Sequence, residues 1–546
     1  MTVDAVIVGS GPGGATAADV LTAAGWSVTI VEKGRNHLLD PEDLSRPAFD
    51  YSNDEIKFLS RHFLGPDPLT EPRTFRTGED DGDRLHVGEV NSVPTTVGGG
   101  GTHADGKVPR FRPEDFRVHS LLGPQAGAEV ADWPLDYDEL EPYYAEVERA
   151  IGVAGTEGAN PFAAPRSGPF PMPSGPPMFG ATRSAAAAER LGYHPYACPT
   201  AANSVPYDGR PACNNCGFCA YFGCPTHAKG DPIAMLQRTM ATGRAELLSE
   251  TFVVQVRFDG RRATGVDVIG PDGAARFLPA RHVVIAAGAI ETPRLLLLSE
   301  VDHDLVGRYL MTHFQTITAG SMPFRTYAER GRAVTHVHDD MIVGDEASRA
   351  AATEAGLPWI RGGLVEHGGA GLPIMEAKHL PWGDQHPGLM ADSPIRARLW
   401  AFIMQGEDLP YPGNRVDLDP TIKDARGVPV ARVTYRPGRH ELVASAHYGP
   451  RLVEILKEMG AEWTAQTTSP GTGNASSPEA VPESRHNMGT VRMGTDPATS
   501  VVDPSGRLHQ ADNVVIADSS VFVTSAGYGP TLTLAALAAR AAHLMV

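Results

Sequence analysis

Asp4-Ala-Val-Ile-Val-Gly-Ser-Gly-Pro-Gly-Gly-Ala15 decides the fold of this chain. An apolar, β-branched run reads as a buried strand, glycines at 9, 11 and 14 break it, and an alanine-rich helical pattern over 15–24 follows at once. Trp26-Ser-Val-Thr-Ile-Val-Glu32 then supplies a second strand, closed by an acid 18 residues after the last glycine. This is a G-x-G-x-x-G turn in full strand–helix–strand context, an arrangement that binds a dinucleotide. Gly9 allows the tight turn, Gly11 lets a pyrophosphate approach the main chain, and Gly14 lets helix and strand pack closely. Pro12 and Gly13 complete the turn, and the helix N-terminus behind it turns its positive dipole end to the phosphates. Glu32 would accept hydrogen bonds from ribose hydroxyls, which disfavours a 2′-phosphate, and Lys33 stands beside it.

Working outward, Val-Val-Ile-Ala-Ala-Gly-Ala-Ile over 283–290 is a second strand that ends in small residues and opens a helix. Asn513-Val-Val-Ile-Ala-Asp518 repeats that logic, with Asp518 at a strand's end. The nucleotide-binding sheet is therefore expected from three separated parts of the chain. The apolar stretch 531–546 reads as a buried helix.

The length of 546 residues suggests two to four domains. A hydrophobic fraction of 42% with 21% charged residues excludes a disordered chain. The net charge of −18 repels phosphate backbones, so nucleic acid is not an expected partner. No apolar run approaches 18 residues, and there is neither a basic leader nor a twin-arginine signal, so the expected location is cytoplasmic with no membrane span. Four of the five cysteines crowd into 213–224, which argues against a secreted disulfide scaffold.

Several further motifs stand in a fixed order. They are Val97-Gly-Gly-Gly-Gly-Thr-His103, Asp132-Trp-Pro-Leu-Asp-Tyr-Asp-Glu-Leu-Glu-Pro-Tyr-Tyr144, Ala286-Ala-Gly-Ala289, His486-Asn-Met-Gly-Thr-Val-Arg-Met-Gly494, Ser500-Val-Val-Asp503 and Gly529-Pro-Thr-Leu-Thr-Leu534. With the N-terminal fingerprint they make the chain resemble, over nearly its whole length, the glucose–methanol–choline (GMC) flavin oxidoreductases. Asn414-Arg-Val-Asp-Leu-Asp-Pro420 is similar to the bacterial sugar- and alcohol-dehydrogenase and pyranose-oxidase-like branches. The resemblance extends to the aminoglycoside 6′-oxidases of that family, which turn a primary alcohol of a pseudosaccharide into an aldehyde.

The resemblance implies an α/β fold: a Rossmann-like FAD-binding domain from about 1–45, 85–125, 205–310 and 480–546. A second, α+β substrate-binding domain built on an antiparallel sheet would use 126–204 and 311–479, with 46–84 as a connecting or lid segment. It implies FAD as cofactor, contacted also by Gly98, Gly99, Thr102, His103, Val254, Ala287, Gly288, Pro530 and Thr531. His103 matches the histidine that pyranose oxidases bond covalently to the flavin; a covalent bond and simple packing near the ring are the two alternatives, and packing is the expectation.

Alcohol oxidation needs a base for the hydroxyl proton while hydride moves to the flavin, and a histidine suits that task. His486 occupies the family's base position. The family's second side chain, a His or Asn before Pro-Thr-Leu-Thr, is replaced by Gly529. Asn487, Tyr528, His313 or a water would then hold the substrate oxygen, or the chemistry departs from alcohol oxidation. Cys213, Cys216, Cys219 and Cys224 have C-x2-C-x2-C-x4-C spacing, which suits an iron–sulfur cluster or zinc. Free thiols are the expectation; a cluster would make the protein a dehydrogenase with an external acceptor, and its absence leaves oxygen open. The expected substrate is a small sugar-like alcohol. Acid pairs at Asp339-Asp340, Asp345-Glu346 and Glu407-Asp408, with Glu376 and Asp384, would suit an amino sugar if they converged on the cleft.

Overall fold

The computed structural model describes residues 2–48, 67–79, 86–91, 93–219, 223–332, 334–368, 383–391, 397–470, 481–482 and 484–546. The strand Val3–Val8 lies at the centre of a seven-stranded sheet. Val28–Val31 pairs with it in parallel on one side and Ala275–Ile285 on the other; Ala245–Leu248 and Val514–Ile516 extend the parallel part outward. The central parts of these strands, 5–8, 283–285 and Val514–Ile516, are apolar without alternation, as parallel strands buried on both faces are. Helix Pro12–Ala23 makes the crossover between the first two strands. Helix Thr531–His543 packs against it, with nearly every residue from Leu532 to Ala542 buried. The sheet therefore gathers 3–31, 245–285 and 514–516, the three-part assembly expected from the sequence. The turns after Val8, Ile285 and Ile516 open at one end of the sheet, where ligands of such folds bind.

The second sheet has six strands, in the order Trp463–Ser469, Phe314–Ser321, Leu399–Gly406, Gly363–His367, His336–His338 and Tyr196–Ala197. Every pairing in it is antiparallel. Alternation now applies. Thr316, Trp400, Phe402 and Met404 face the helix Arg439–Glu458, where Tyr448, Leu452 and Ile455 complete a core. Gln315, Ile317, Ile403 and Gln405, one position out of phase, turn to the other face. The fold is thus the two-part α/β architecture expected.

Two details differ from the simplest expectation. Arg73–Arg76, inside the stretch read as a connection, is a strand: it pairs with His86–Gly88 and, in parallel, with Pro429–Thr434, in a four-stranded sheet closed by Arg415–Lys423. Residues 49–66 and 80–85 of that region lie outside the described residues. Helix Tyr137–Ile151 buries Leu140, Tyr144 and Val147 in the same core as the first strand, against Thr531–His543. No helix among the described residues is long and apolar enough to cross a membrane.

Candidate active site

A cavity of about 1410 Å³ runs from the ends of the parallel strands to the polar face of the antiparallel sheet. The glycine turn forms its floor. Gly9 sits at φ +97°, and a Cβ there would meet the Ala286 carbonyl oxygen at 2.4 Å. At Gly13 a Cβ would lie 1.7 Å from the Ala517 carbonyl oxygen, so this glycine seats the helix against the third crossing of the chain. Gly14 packs on Gly9 as the motif predicts. Gly11 has nothing within 4 Å of where a Cβ would point, and it caps the helix with no side chain. An open cradle of main-chain N–H groups at a helix start is what a pyrophosphate requires, so the residues present fit FAD.

Glu32 is buried and accepts three hydrogen bonds: Ser10 N at 3.0 Å, Ser10 Oγ at 2.7 Å and Gly34 N at 2.8 Å. Ser10 Oγ in turn accepts from Gly98 N at 2.9 Å, which ties the second glycine loop to the first. Sequence reasoning missed Ser10, an x position in the motif. Lys33 lines the cavity and pairs with Glu71 at 2.6 Å. Gly99 approaches Gly11, while Gly98 holds φ +87° behind the wall. Thr102 is wholly buried, with its Oγ1 donating to Gly99 O, and does not line the cavity; His103 does. Lys229 fastens this turn by donating to the Thr102 and Ala104 carbonyls.

Ala287 and Gly288 line the cavity, and Asp518 caps the turn between them by accepting from Gly288 N at 2.9 Å and Thr292 Oγ1 at 2.6 Å. Burial pushes the Asp518 carboxyl up from its ordinary value. Pro530 and Thr531 line the same wall, at the start of the C-terminal helix. Val254 is a correction: it does not line the cavity, whereas the three residues before it, Thr251, Phe252 and Val253, do.

At the far end His486 and Asn487 face the cavity. His486 Nδ1 lies 2.9 Å from Nδ1 of His313. A Cβ at position 529 would stand 3.8 Å from Cε1 and 4.0 Å from Nε2 of His486, so Gly529 leaves open space beside Nε2. Burial, with help from His313, Lys107 and Arg485, holds the His486 imidazole well below its ordinary pKa. Asn487 Oδ1 accepts from Asn91 Nδ2 at 3.1 Å. Asn91 Nδ2 also donates to the Ser484 carbonyl at 3.3 Å, so that atom is the amide nitrogen and Asn487 must turn its oxygen toward it. Asn487 Nδ2, buried and without a partner among the described residues, is left as a donor on a residue of the cavity wall. Tyr528 does not hold a substrate oxygen: it is buried and its hydroxyl meets Asp339 away from the cavity. His313 does not either, being wholly buried behind His486.

The polar sheet face completes this end. Gln315 Nε2 donates to Gln405 Oε1 at 3.0 Å, Gln405 Nε2 donates to Glu366 Oε1 at 2.8 Å, and Glu366 pairs with Lys107. Lys107 also pairs with Asp105 at 3.0 Å, and the two carboxylates hold its ammonium charged, above its ordinary range. The acids singled out in the sequence do other work. Asp339 accepts from Tyr196 and Asn160, Asp340 from His194, and Asp345 caps a helix. Glu407 pairs with Arg361, and Asp408 accepts from Thr312 N. None lines the cavity, nor do the exposed Glu346 and Asp384; Glu376 lies outside the described residues. The usable signal was a lone acid or amide in an apolar strand, as in Leu364-Val-Glu366 and Phe402-Ile-Met-Gln405.

Among the described residues no group of three or more His, Cys, Asp and Glu side chains is arranged to hold a metal ion. Cys219 is buried and its thiol is pushed up to about 12; burial also raises Cys216. Thiols so raised stay protonated.

Comparison with known proteins agrees. The GMC oxidoreductase models match residues 128–315 and 410–538, and an FAD binding domain model matches 2–42. The large subunit of fructose dehydrogenase from Gluconobacter japonicus is 30% identical, covering 100% of this chain and 98% of its own. The 6′′′-hydroxyparomomycin C oxidase of Streptomyces lividus is 31% identical over 98% of this chain and 90% of its own. A formate oxidase variant from Aspergillus oryzae shares the fold at 15% identity, with a TM-score of 0.65 over 100% of this chain and 98% of that one. With its glycine cradle, its histidine at the cavity wall and these full-length relatives, this chain belongs to the GMC oxidoreductase family and is an FAD-dependent enzyme acting on CH–OH groups.

Proposed function

We propose that the protein oxidises a hydroxyl of a sugar-like substrate, an amino sugar with a primary alcohol being the candidate. The observation that carries this is the placement of His486: Nδ1 is engaged by His313, and Nε2 stands beside the space at Gly529, in one cavity with a sheet face of amides and a carboxylate. FAD, when bound, accepts the hydride from the carbinol carbon. Gly9, Gly11, Pro12 and Gly13 would hold its pyrophosphate, Glu32 its ribose, and His103 would pack near the ring without a covalent bond. The four clustered cysteines are read as free thiols.

His486 Nε2 takes the hydroxyl proton: the O–H bond breaks and an N–H bond forms. Nε2 must be bare to do so, and activity is therefore present above the pKa of this histidine and lost as pH falls through it. Because burial depresses that value, the acid limb of kcat/KM is expected below pH 6.5, the ordinary histidine value. A limb centred at or above it, in a pH series, would contradict the assignment. Asn487 Nδ2 supplies the hydrogen bond to the substrate oxygen that a side chain at 529 cannot. Asn487→Ala is expected to lower kcat by about tenfold to a hundredfold with FAD still bound, as removal of one such donor does. Unchanged kcat in steady-state assays would remove Asn487 from this role.

The amino-sugar candidate rests on charge. Asp105 and Glu366 both line the cavity, each paired there with Lys107, and a substrate ammonium would be a second cation within reach of these carboxylates. The sequence likeness to an oxidase of an aminoglycoside points the same way. The test is turnover of a panel of aminated and neutral sugars, run in air and with a dye acceptor. Aminated sugars with a free primary hydroxyl should be preferred. Glu366→Gln should raise their KM by about tenfold, roughly 1.4 kcal/mol, and leave neutral sugars nearly unaffected. Equal effects on both classes would sink the amino-sugar reading.

A further inference from the structure

We propose that His313 is a positioning residue that sets the tautomer of His486 and keeps its Nε2 bare. The inference rests on His486 being the base and goes beyond it, because it assigns the proton on each ring nitrogen.

The two rings stand nearly perpendicular, at 87°, with Nδ1 to Nδ1 at 2.9 Å. His313 Nε2 lies 3.2 Å from the main-chain carbonyl oxygen of Ser525. A carbonyl oxygen only accepts, so His313 Nε2 carries a hydrogen. A neutral imidazole has one N–H, which leaves His313 Nδ1 as an acceptor. Burial, which pushes the His313 imidazole down to about 4, keeps it in that neutral form. The proton between the rings therefore belongs to His486 Nδ1, and His486 Nε2 is the lone-pair nitrogen. Reversing the order would put the hydrogen on Nε2, where it blocks proton abstraction.

The second ring is fixed from both sides. Ser525 Oγ accepts from Asp408 N and donates to Asp408 O, both at 2.9 Å. The Asp408 carboxylate accepts from Thr312 N at 2.6 Å. His313 itself has φ +57°, a left-handed conformation that few residues other than glycine and asparagine adopt readily. The charged groups that face His486 are Lys107 and Arg485, both cations. The carboxylates of Asp408 and Glu441 bind main-chain N–H groups and the Tyr435 and Tyr411 hydroxyls, and those of Asp105 and Glu366 pair with Lys107, rather than either ring. A neutral histidine thus fills the orienting place that a carboxylate fills in a Ser-His-Asp triad. When Nε2 gains the substrate proton, Nδ1 keeps its own, and the bond to His313 becomes charge-assisted.

Two variants of the FAD-loaded protein test this. His313→Leu removes the acceptor. His313→Asn restores an amide oxygen near the place of Nδ1 and tolerates the left-handed backbone. Under anaerobic mixing with substrate, His313→Leu should reduce its flavin about tenfold to a hundredfold more slowly, with KM within a few-fold of the parent; His313→Asn should return to within about fivefold. Nitrogen NMR of histidine-labelled parent protein should show His486 protonated at Nδ1 and bare at Nε2. The proposal is overturned if His313→Leu reduces flavin at the parental rate, if His313→Asn is as slow as His313→Leu with flavin bound and Tm unchanged, or if Nε2 carries the proton in the parent. A parent that reduces its flavin with no alcohol contradicts the base assignment itself, a different failure.

Discussion

His486→Ala is expected to slow substrate-dependent flavin reduction by about a thousandfold, within the range a positioned general base supplies. Flavin content and Tm should stay close to the parent, because the imidazole is packed beside open space at Gly529 and not in an apolar core. The measurement is rapid mixing under anaerobic conditions at saturating substrate, which isolates the chemical step from reoxidation. The pH dependence below neutrality should vanish with the side chain, since the group that titrates has gone. A variant that keeps a parental rate would mean that a solvent base or another residue takes the proton. His86 and His103 also line the cavity, and the alanine variant of each distinguishes them from His486.

The second large effect separates two glycines of one motif. Gly13→Ala should destabilise the protein by about 3 kcal/mol or more, because its methyl would fall 1.7 Å from the Ala517 carbonyl oxygen, a main-chain atom with little room to retreat. Gly11→Ala meets nothing within 4 Å, and its φ of −65° suits any residue. It should leave the stability of the flavin-free protein unchanged while weakening FAD binding by at least about tenfold, since the methyl enters the path of the pyrophosphate. Thermal unfolding of the flavin-free proteins and FAD titration of each variant read the two outcomes apart. If both variants melt alike, the cradle is structural and the pyrophosphate lies elsewhere.

The nucleotide half of the fold was legible because its determinants are local. Strand, turn, helix, strand and acid fall within 3–32, and each glycine's role follows from its neighbours in sequence. What escaped was contact between distant loops: Ser10 binds both Glu32 and Gly98, and no spacing rule announces that bond. Val254 was missed by one residue, because the cavity wall ends at Thr251, Phe252 and Val253, a boundary set by how the chain enters the strand and not by any motif.

The substrate half was harder for a physical reason. Gln315, Glu366 and Gln405 come from three strands paired across long separations, and only the antiparallel register brings them together. Of the acids that drew notice in the sequence, the buried Asp339, Glu407 and Asp408 bind hydroxyls, an arginine and a main-chain N–H group instead. Asp408 holds the turn before His313, and Glu407 compensates Arg361. Burial of a carboxylate costs free energy unless it is paired, so dense acid runs inside a domain tend to serve structure. From the sequence, His313 is only a candidate for holding the substrate oxygen. Its place behind His486 depends on a left-handed residue just ahead of a strand and on a carbonyl 212 positions away.

The most direct test of the account is an anaerobic titration of the FAD-loaded protein with an amino sugar bearing a primary hydroxyl, using matched substrate with protium or deuterium at the carbinol carbon. The account predicts full bleaching of the flavin band by one equivalent of substrate. It also predicts slower bleaching with deuterium, and loss of the reaction in His486→Ala. A flavin that stays oxidised with every alcohol offered, or that bleaches at the same rate without His486, would contradict it.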